Sequence, residues 1–117
     1  MLANFLEAVH EGNMIDPKRM AEELRMPMTG LARLARVNRN TLSTKAGSAA
    51  VQTGLGIVAR IIAKAAELAG NEGRAIIWFR HQPISGFEGK TAEELVEAGH
   101  ADAVIWHLET LENGGYA

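Results

Sequence analysis

A run of basic residues that contains no acidic residue is the most unusual chemical feature of this 117-residue sequence. Seven basic and no acidic residues lie within residues 24–66. By contrast, residues 1–23 contain five acidic and two basic residues, and residues 67–117 contain nine acidic and three basic residues. Clustered positive charge favours an anionic partner such as nucleic acid, the alternative being solvated helix faces that happen to cluster. The seven are Arg25, Arg33, Arg36, Arg39, Lys45, Arg60 and Lys64.

Side chains that could perform catalysis or bind a metal lack the spacing that those functions need. The four histidines are His10, His81, His100 and His107. None of them pairs at i and i+4, the spacing that lets two side chains share an ion on one helix. The acidic pairs at 22–23 and 93–94 fit helix first turns or surfaces rather than an acid–base couple. We therefore predict surface or cap histidines, no metal site, no cofactor and no enzymatic activity.

The composition predicts a soluble, mostly helical protein. Aromatic residues make up only 5% of the chain, and few β-branched residues alternate with polar ones as a half-buried strand requires. The sequence contains no cysteine, no signal-like opening segment and no uncharged apolar run of about 18 residues. We expect a cytoplasmic protein without a membrane span.

Cap and breaker residues divide the first half of the chain into short helices. Apolar residues at helical spacing predict a helix over residues 2–11 that ends at Gly12. Asp16 is placed to cap a second helix with Pro17 at its first position, and Pro27 is expected to stop it. Two further short helices are expected to begin after caps at Thr29 and Asn38.

A long amphipathic helix is predicted over residues 49–69, after a break at Gly47. Its stripe fits the protein core better than contact with a second copy. Gly54 and Gly56 each cost about 1 kcal/mol in a helix interior, so they mark either a frayed start or a close helix contact. The stripe consists of Val51, Leu55, Val58, Ile62, Ala65 and Ala69, widened by Ile61 and Leu68.

Three more helices are predicted in the last third of the chain. The first covers residues 72–81, ends before Pro83 and is expected to bury Ile76, Ile77 and Phe79 alongside Trp78. Thr91 and Glu94 have the spacing of a capping box, which predicts a helix that begins at Ala92. The glycine-rich loop before it lacks the spacing of a phosphate-binding loop and is interpreted as a turn. A final helix begins near Ala103 and ends at residues 113–115.

Residues 31–42 place Ala32 at a close helix crossing, Val37 as an apolar turn residue that plugs the core between two helices, and Asn38 as the cap of the second helix. In these features the segment is similar to the helix-turn-helix of Xre-type regulators. It implies that the second helix enters the DNA major groove, with Arg39 on guanine and Asn40 on adenine. Arg36 replaces the usual turn glycine at a cost on the order of 1 kcal/mol, which predicts an altered turn. The implied DNA-binding residues are Arg33, Arg36, Arg39, Asn40, Ser43, Thr44 and Lys45.

Residues 58–117 contain a second set of motifs: the 65–70 end of the long helix, Trp78, Pro83, the loop from Gly86 to Thr91, Gly99 and the closing Gly-Tyr-Ala. In these features they resemble the toxin-binding domain of the Xre/MbcA/ParS antitoxins. The resemblance implies an antitoxin that neutralises a toxin, typically a RES-domain toxin that degrades NAD, and whose helix-turn-helix part represses the shared operon. The implied toxin-binding residues are Trp78, Lys90, Trp106, Gly114, Gly115, Tyr116 and Ala117.

The sequence therefore predicts an all-α protein: a helix-turn-helix N-terminal part joined by a long helix to a small C-terminal helical bundle. The expected divisions are residues 1–47 for DNA binding, 48–70 for the connecting helix and 58–117 for toxin binding. The expected partners are a cognate toxin, operator DNA and a second copy in a homodimer, without a small-molecule substrate. Two alternatives remain open: a stand-alone helix-turn-helix regulator without a toxin, and a protein-interaction module without DNA binding.

Overall fold

A computed structural model describes residues 3–114 of the chain. This part contains eight α-helices and one two-stranded antiparallel sheet, so the predicted all-α class is confirmed. The helices are α1 (Ala3–Val9), α2 (Pro17–Leu24), α3 (Met28–Ala35), α4 (Arg39–Thr44), α5 (Ala49–Ala69), α6 (Glu72–His81), α7 (Ala92–Glu97) and α8 (Ala101–Glu112). The strands are β1 (His10–Glu11) and β2 (Met14–Ile15).

The described residues form two compact units whose boundary lies within α5, between Ala59 and Arg60. Each unit has its own apolar core, formed by the inward faces of its helices. The N-terminal unit buries Phe5, Met20, Leu24, Leu31, Leu34, Leu42 and Leu55, and the C-terminal unit buries Ile61, Ile62, Phe79, Ile84, Leu95, Val104 and Leu108.

A short hairpin replaces the end of the predicted first helix, which stops at Val9 rather than at residue 11. Gly12 turns the chain with a φ of 62° between the two strands. Gln52 on α5 holds this hairpin, because its Oε1 accepts the Ile15 N–H at 2.9 Å and its Nε2 donates to the Ile15 carbonyl at 2.9 Å. The same Nε2 donates to the Ala46 carbonyl at 2.9 Å. One side chain thus ties β2 to the segment between α4 and α5.

The predicted start of α2 is confirmed, but its end and the start of α3 are not. The Asp16 carboxylate accepts the Arg19 N–H at 3.2 Å, with Pro17 in the first turn. Helix α2 ends at Leu24, before Pro27 is reached, and its C-cap Arg25 has a left-handed φ of 56°. Pro27 is itself the extended residue that precedes α3, and the prediction that Thr29 caps this helix is wrong. The fixed φ of proline suits the entry to a helix, so Thr29 falls inside the first turn.

The apolar stripe of α5 is buried from Val51 to Ala65, but the expected burial of Leu68 and Ala69 is wrong. Gly54 lies against α3, where an added Cβ would overlap the Ala35 carbonyl oxygen. Gly54 therefore permits a close helix contact, whereas Gly56 has open space around its Cα.

Helix α5 is also the helix, within residues 3–114, whose length and composition would allow it to cross a membrane. Core helices of soluble proteins often have the same two properties, because burial selects apolar residues in both settings. The α5 stripe contributes to the core of each unit, and Arg60 and Lys64 lie within the helix. The compact fold is consistent with a soluble protein.

In the C-terminal unit, the first turn of α6 is capped by the Asn71 side chain, which accepts the Arg74 N–H at 2.9 Å. Phe79 is buried as expected, but Ile77 is 63% exposed, so the prediction that it enters the core is wrong. The predicted capping box of α7 is confirmed. Thr91 Oγ1 accepts the Glu94 N–H at 3.1 Å, and Glu94 Oε1 accepts the Thr91 N–H at 2.9 Å.

The loop before α7 forms a turn, as interpreted from the sequence. Gly86 and Gly89 have φ values of 88° and 80°, which residues other than glycine rarely adopt. The Ile84 N–H donates to the Lys90 carbonyl at 2.9 Å, which closes the loop. Helix α8 starts at Ala101, two residues before the predicted start.

Candidate binding surfaces

The connection between α3 and α4 is a tight turn built on Arg36. Its φ of 59° and ψ of 42° are left-handed, and its N–H bonds to the carbonyls of Ala32 and Arg33. The Val37 N–H donates to the Ala32 carbonyl at 3.1 Å, which completes the end of α3. Arg36 thus adopts the conformation that glycine takes freely, and the expectation that it alters the turn is not met.

Helix α4 is fixed at its start and through its centre. The Asn38 side chain accepts the Asn40 N–H at 2.7 Å, which confirms the predicted cap. Leu42 is fully buried and anchors the helix to the core of the N-terminal unit. Val37, expected to plug the core at the turn, is half-buried. The remaining residues of the helix are left to form a surface.

All seven residues predicted to contact DNA are exposed on this part of the N-terminal unit. Arg33 lies in the last turn of α3, Arg36 forms the turn and the other five run from the start of α4 to its C-cap. We call these seven residues the basic surface: Arg33, Arg36, Arg39, Asn40, Ser43, Thr44 and Lys45.

Not every polar group of the basic surface is available to a partner. The Thr44 hydroxyl donates to the Asn40 carbonyl at 2.8 Å, so it is already used within the helix. Within residues 3–114, neither Arg39 nor Lys45 forms an ion pair. These two cations can therefore neutralise an anion without first breaking a salt bridge.

The C-terminal unit carries a different feature, an apolar groove with a volume of about 310 Å³. Helices α5, α6 and α8 supply its walls, and Trp78 is its aromatic residue. The residues that line this apolar groove are Ala65, Leu68, Ala69, Arg74, Ala75, Trp78, Leu108 and Leu111.

The Trp78 indole is held in place by His107. The two rings stack with centroids 6.5 Å apart and planes 5° apart. His107 is only 7% exposed, so the prediction of a surface or cap histidine is wrong at this position. Burial lowers the pKa of the His107 imidazole, because the charged form is poorly solvated there. The groove therefore has the Trp78 indole as its aromatic wall, and the buried His107 ring stacks on that indole without itself lining the groove.

The charged residues in and next to the apolar groove differ in whether they are paired. Lys64 Nζ contacts Glu112 Oε1 at 2.8 Å, and this hydrogen bond raises the pKa of Lys64, with further contributions from Glu109 and Glu67. On α6, the Arg74 guanidinium pairs with no acidic side chain of the described part of the chain. Arg74 thus supplies an unpaired cation within the groove lining, whereas Lys64, which neighbours the lining residue Ala65, is neutralised.

Among the described residues, Trp78 is the one predicted toxin-binding residue that lines the apolar groove. Trp78 lines the apolar groove, but Trp106 is 63% exposed and is not among the residues that line it. Lys90 is exposed in the loop before α7, and Gly114 is exposed with a φ of 83°. The predicted residues Gly115, Tyr116 and Ala117 lie outside the described residues.

Three residues of interest were missed from the sequence. His107 could have been found, because it lies between Val104 and Leu111 on the apolar stripe of α8. Gln52 and Arg74 carry no comparable signal, since their roles depend on which segments pack nearby. Within residues 3–114, no group of three or more histidine, aspartate or glutamate side chains is arranged to hold a metal ion.

No protein-family model, curated protein or solved structure matches the chain. Its function is therefore inferred from the two surfaces themselves, together with the resemblance carried by its motifs.

Proposed function

We propose that this chain is an antitoxin, which binds operator DNA through the basic surface and neutralises a toxin through its C-terminal unit. The observation that carries the proposal is the geometry of the α3–α4 connection. A left-handed residue ends α3, Asn38 caps α4 and the outward residues of α4 are basic or polar. Helix-turn-helix proteins place such a second helix in the DNA major groove.

The basic surface would divide its contacts between bases and phosphates. Arg39 and Asn40 lie in the first turn of α4, the part of a recognition helix that reaches base edges. An arginine fork matches the O6 and N7 atoms of guanine, and an asparagine amide matches N6 and N7 of adenine. Arg33, Arg36 and Lys45 flank this turn and would contact phosphates, which position the helix without reading sequence.

The C-terminal unit would act by stoichiometric binding rather than by turnover. Its apolar groove and the exposed Trp106 offer the aromatic contact area that protein interfaces favour. The resemblance to antitoxins makes a RES-domain toxin the proposed partner, blocked at the entrance of its active site. The same chain would act in the cytoplasm and repress the shared operon as a homodimer on a two-fold operator.

Titration against the DNA upstream of the reading frame tests the DNA-binding half. We expect wild type to bind with an affinity that falls steeply with salt, and Arg39→Glu to abolish binding. Lys18→Glu is the matched control, because Lys18 is an exposed cation of the same unit outside the basic surface. Absence of binding even at low salt would favour a protein-interaction module without DNA binding.

Coexpression with the adjacent reading frame tests the toxin-binding half. We expect this chain to relieve growth arrest caused by that neighbour, and Arg39→Glu to relieve it equally well. Persistent arrest would contradict the antitoxin proposal, and DNA binding without any copurifying protein would favour a stand-alone regulator. Loss of both activities in Arg39→Glu would contradict the division between the two units.

A further inference from the structure

We propose that the apolar groove of the C-terminal unit receives one apolar side chain of the toxin, and that an acidic residue beside that side chain pairs with Arg74. The inference rests on the proposed function and names the chemistry by which the partner is recognised. Four features of the groove support it: its size, its rigid wall, its unpaired cation and the acidic residues that neighbour its lining leucines in sequence.

The size of the groove suits a single anchoring side chain. Its volume of about 310 Å³ lies at the small end of binding pockets. Much of the space exists because three of its lining residues are alanines, Ala65, Ala69 and Ala75. Leu68 is 42% exposed at its edge, so apolar area remains in contact with water that a partner side chain would displace.

The wall formed by Trp78 is already in place before a partner arrives. His107 stacks on the indole and is itself buried, which restricts the rotamers that Trp78 can adopt. Binding to a prepared surface costs less conformational entropy than binding to one that must be ordered. Anchors of this kind, set in desolvated pockets, supply most of the affinity in protein interfaces.

The charges determine what kind of molecule fits. Arg74 lines the groove and has no acidic partner within residues 3–114. Lys64, one helical turn before the groove residue Leu68, is neutralised by Glu112 and lies near Glu67 and Glu109. Each of these three acids follows or precedes a leucine that lines the groove. An anionic small molecule would meet this excess of acid, whereas a polypeptide can place an acidic residue at Arg74 and a basic residue near Glu109. We therefore assign the groove to a toxin segment.

Filling the groove tests the steric part of the inference. Ala69 is exposed and lines the groove, so Ala69→Trp would occupy it without disturbing the core. Ala98→Trp is the matched control, because Ala98 is an exposed alanine that does not line the groove. The binding partner is the protein encoded by the adjacent reading frame, titrated by calorimetry against each full-length variant. We expect Ala69→Trp to raise Kd by at least about tenfold, on the scale of one lost interface anchor, and Ala98→Trp to leave it unchanged.

Reversing the cation tests the electrostatic part. Arg74→Glu should raise Kd by about tenfold or more, since a like charge would face the acidic residue of the partner. Arg60→Glu makes the same change at an exposed position of the same unit outside the groove and should have little effect on this complex. Circular dichroism and thermal unfolding of each variant verify that the fold is retained, and DNA affinity should not respond to Arg74→Glu.

The outcomes separate this inference from the proposed function. A wild-type complex whose affinity is unaffected by both Ala69→Trp and Arg74→Glu overturns the groove as the contact and leaves the antitoxin proposal intact. Loss of affinity in Ala69→Trp but not in Arg74→Glu overturns the pairing of Arg74 with an acidic residue. Failure of wild type to bind the neighbouring protein overturns the antitoxin proposal and this inference with it.

Discussion

The two units of this chain present surfaces of opposite character. The N-terminal unit, residues 3–59, has seven basic and five acidic residues and exposes four of its cations around a tight turn. The C-terminal unit, residues 60–117, has five basic and nine acidic residues and presents an apolar groove. The basic surface is suited to bind a polyanion, whereas the apolar groove is suited to bind a partner whose apolar side chains leave water. Two binding functions can thus be separated by solvent conditions as well as by mutation.

Salt concentration should give the largest contrast between the units. Affinity for DNA should fall with a logarithmic slope of about 0.9 for each phosphate neutralised, because bound cations release counterions. Affinity for the toxin should change far less over the same range, because apolar burial dominates it. Electrophoretic mobility shift and calorimetry between 50 and 200 mM salt, roughly the range over which this effect is large, measure the two slopes.

Lys45→Ala refines this test, since removal of one phosphate contact should reduce the DNA slope by about 1. Lys18→Ala should leave it unchanged. Equal slopes for DNA and toxin would contradict the assignment of different binding physics to the two units.

Packing of α5 against α3 should respond strongly to one methyl group. At Gly54 an added Cβ overlaps backbone at Ala35, so Gly54→Ala should destabilise the protein by about 1–3 kcal/mol through overpacking. Gly56 has open space, and Gly56→Ala should stabilise by up to about 1 kcal/mol through helix propensity. Urea unfolding measures both changes. If Gly54→Ala were as benign as Gly56→Ala, the close contact would be wrong.

Acid should weaken the C-terminal unit through His107. Its folded-state pKa lies below the usual value of 6.5 because of burial. The unfolded state therefore binds more protons, and the stability supplied by neutral His107 is lost as the pH falls below about 6.5. Thermal unfolding at several pH values between 7.5 and 5 measures this effect. The melting temperature should fall less with pH for His107→Leu than for wild type, each compared with its own value at the highest pH. His81→Leu, at an exposed position, should retain the wild-type loss.

The smallest predicted effect concerns the turn of the basic surface. Arg36 is held at a φ of 59°, so Arg36→Gly should relieve strain and stabilise the N-terminal unit by about 0.5–1 kcal/mol. The same variant should weaken DNA binding, because it removes a cation from the basic surface. Chemical unfolding and DNA titration of one variant would show the two opposite changes. A variant that gains stability and also keeps full DNA affinity would remove Arg36 from the set of phosphate contacts.

Local signals predicted much of the fold. Asp16, Asn38 and the Thr91–Glu94 box each act within three residues of themselves, so their sequence spacing was enough to place three helix starts. The hairpin was missed because two strands of two residues have no periodicity, and Gln52, which holds them, is 37 residues away from Ile15.

The candidate sites were predictable to different degrees. The basic surface follows from one continuous segment, since its seven residues occupy the last turn of α3, the turn and α4. The apolar groove does not, because residues from three helices line it and their exposure depends on packing. Ile77 illustrates the limit: it lies in an apolar run, yet it is exposed because α6 turns other residues towards the core.

The hairpin of the N-terminal unit has a consequence for how this protein behaves when concentrated. Exposed strand edges can recruit strands of neighbouring molecules into intermolecular sheets. Here the Gln52 amide occupies both backbone groups of Ile15, and the Arg19 guanidinium donates to the His10 carbonyl at 2.8 Å. Side chains thus take the positions that a foreign strand would need. We expect this hairpin to resist aggregation, and Gln52→Ala to make the protein more prone to it.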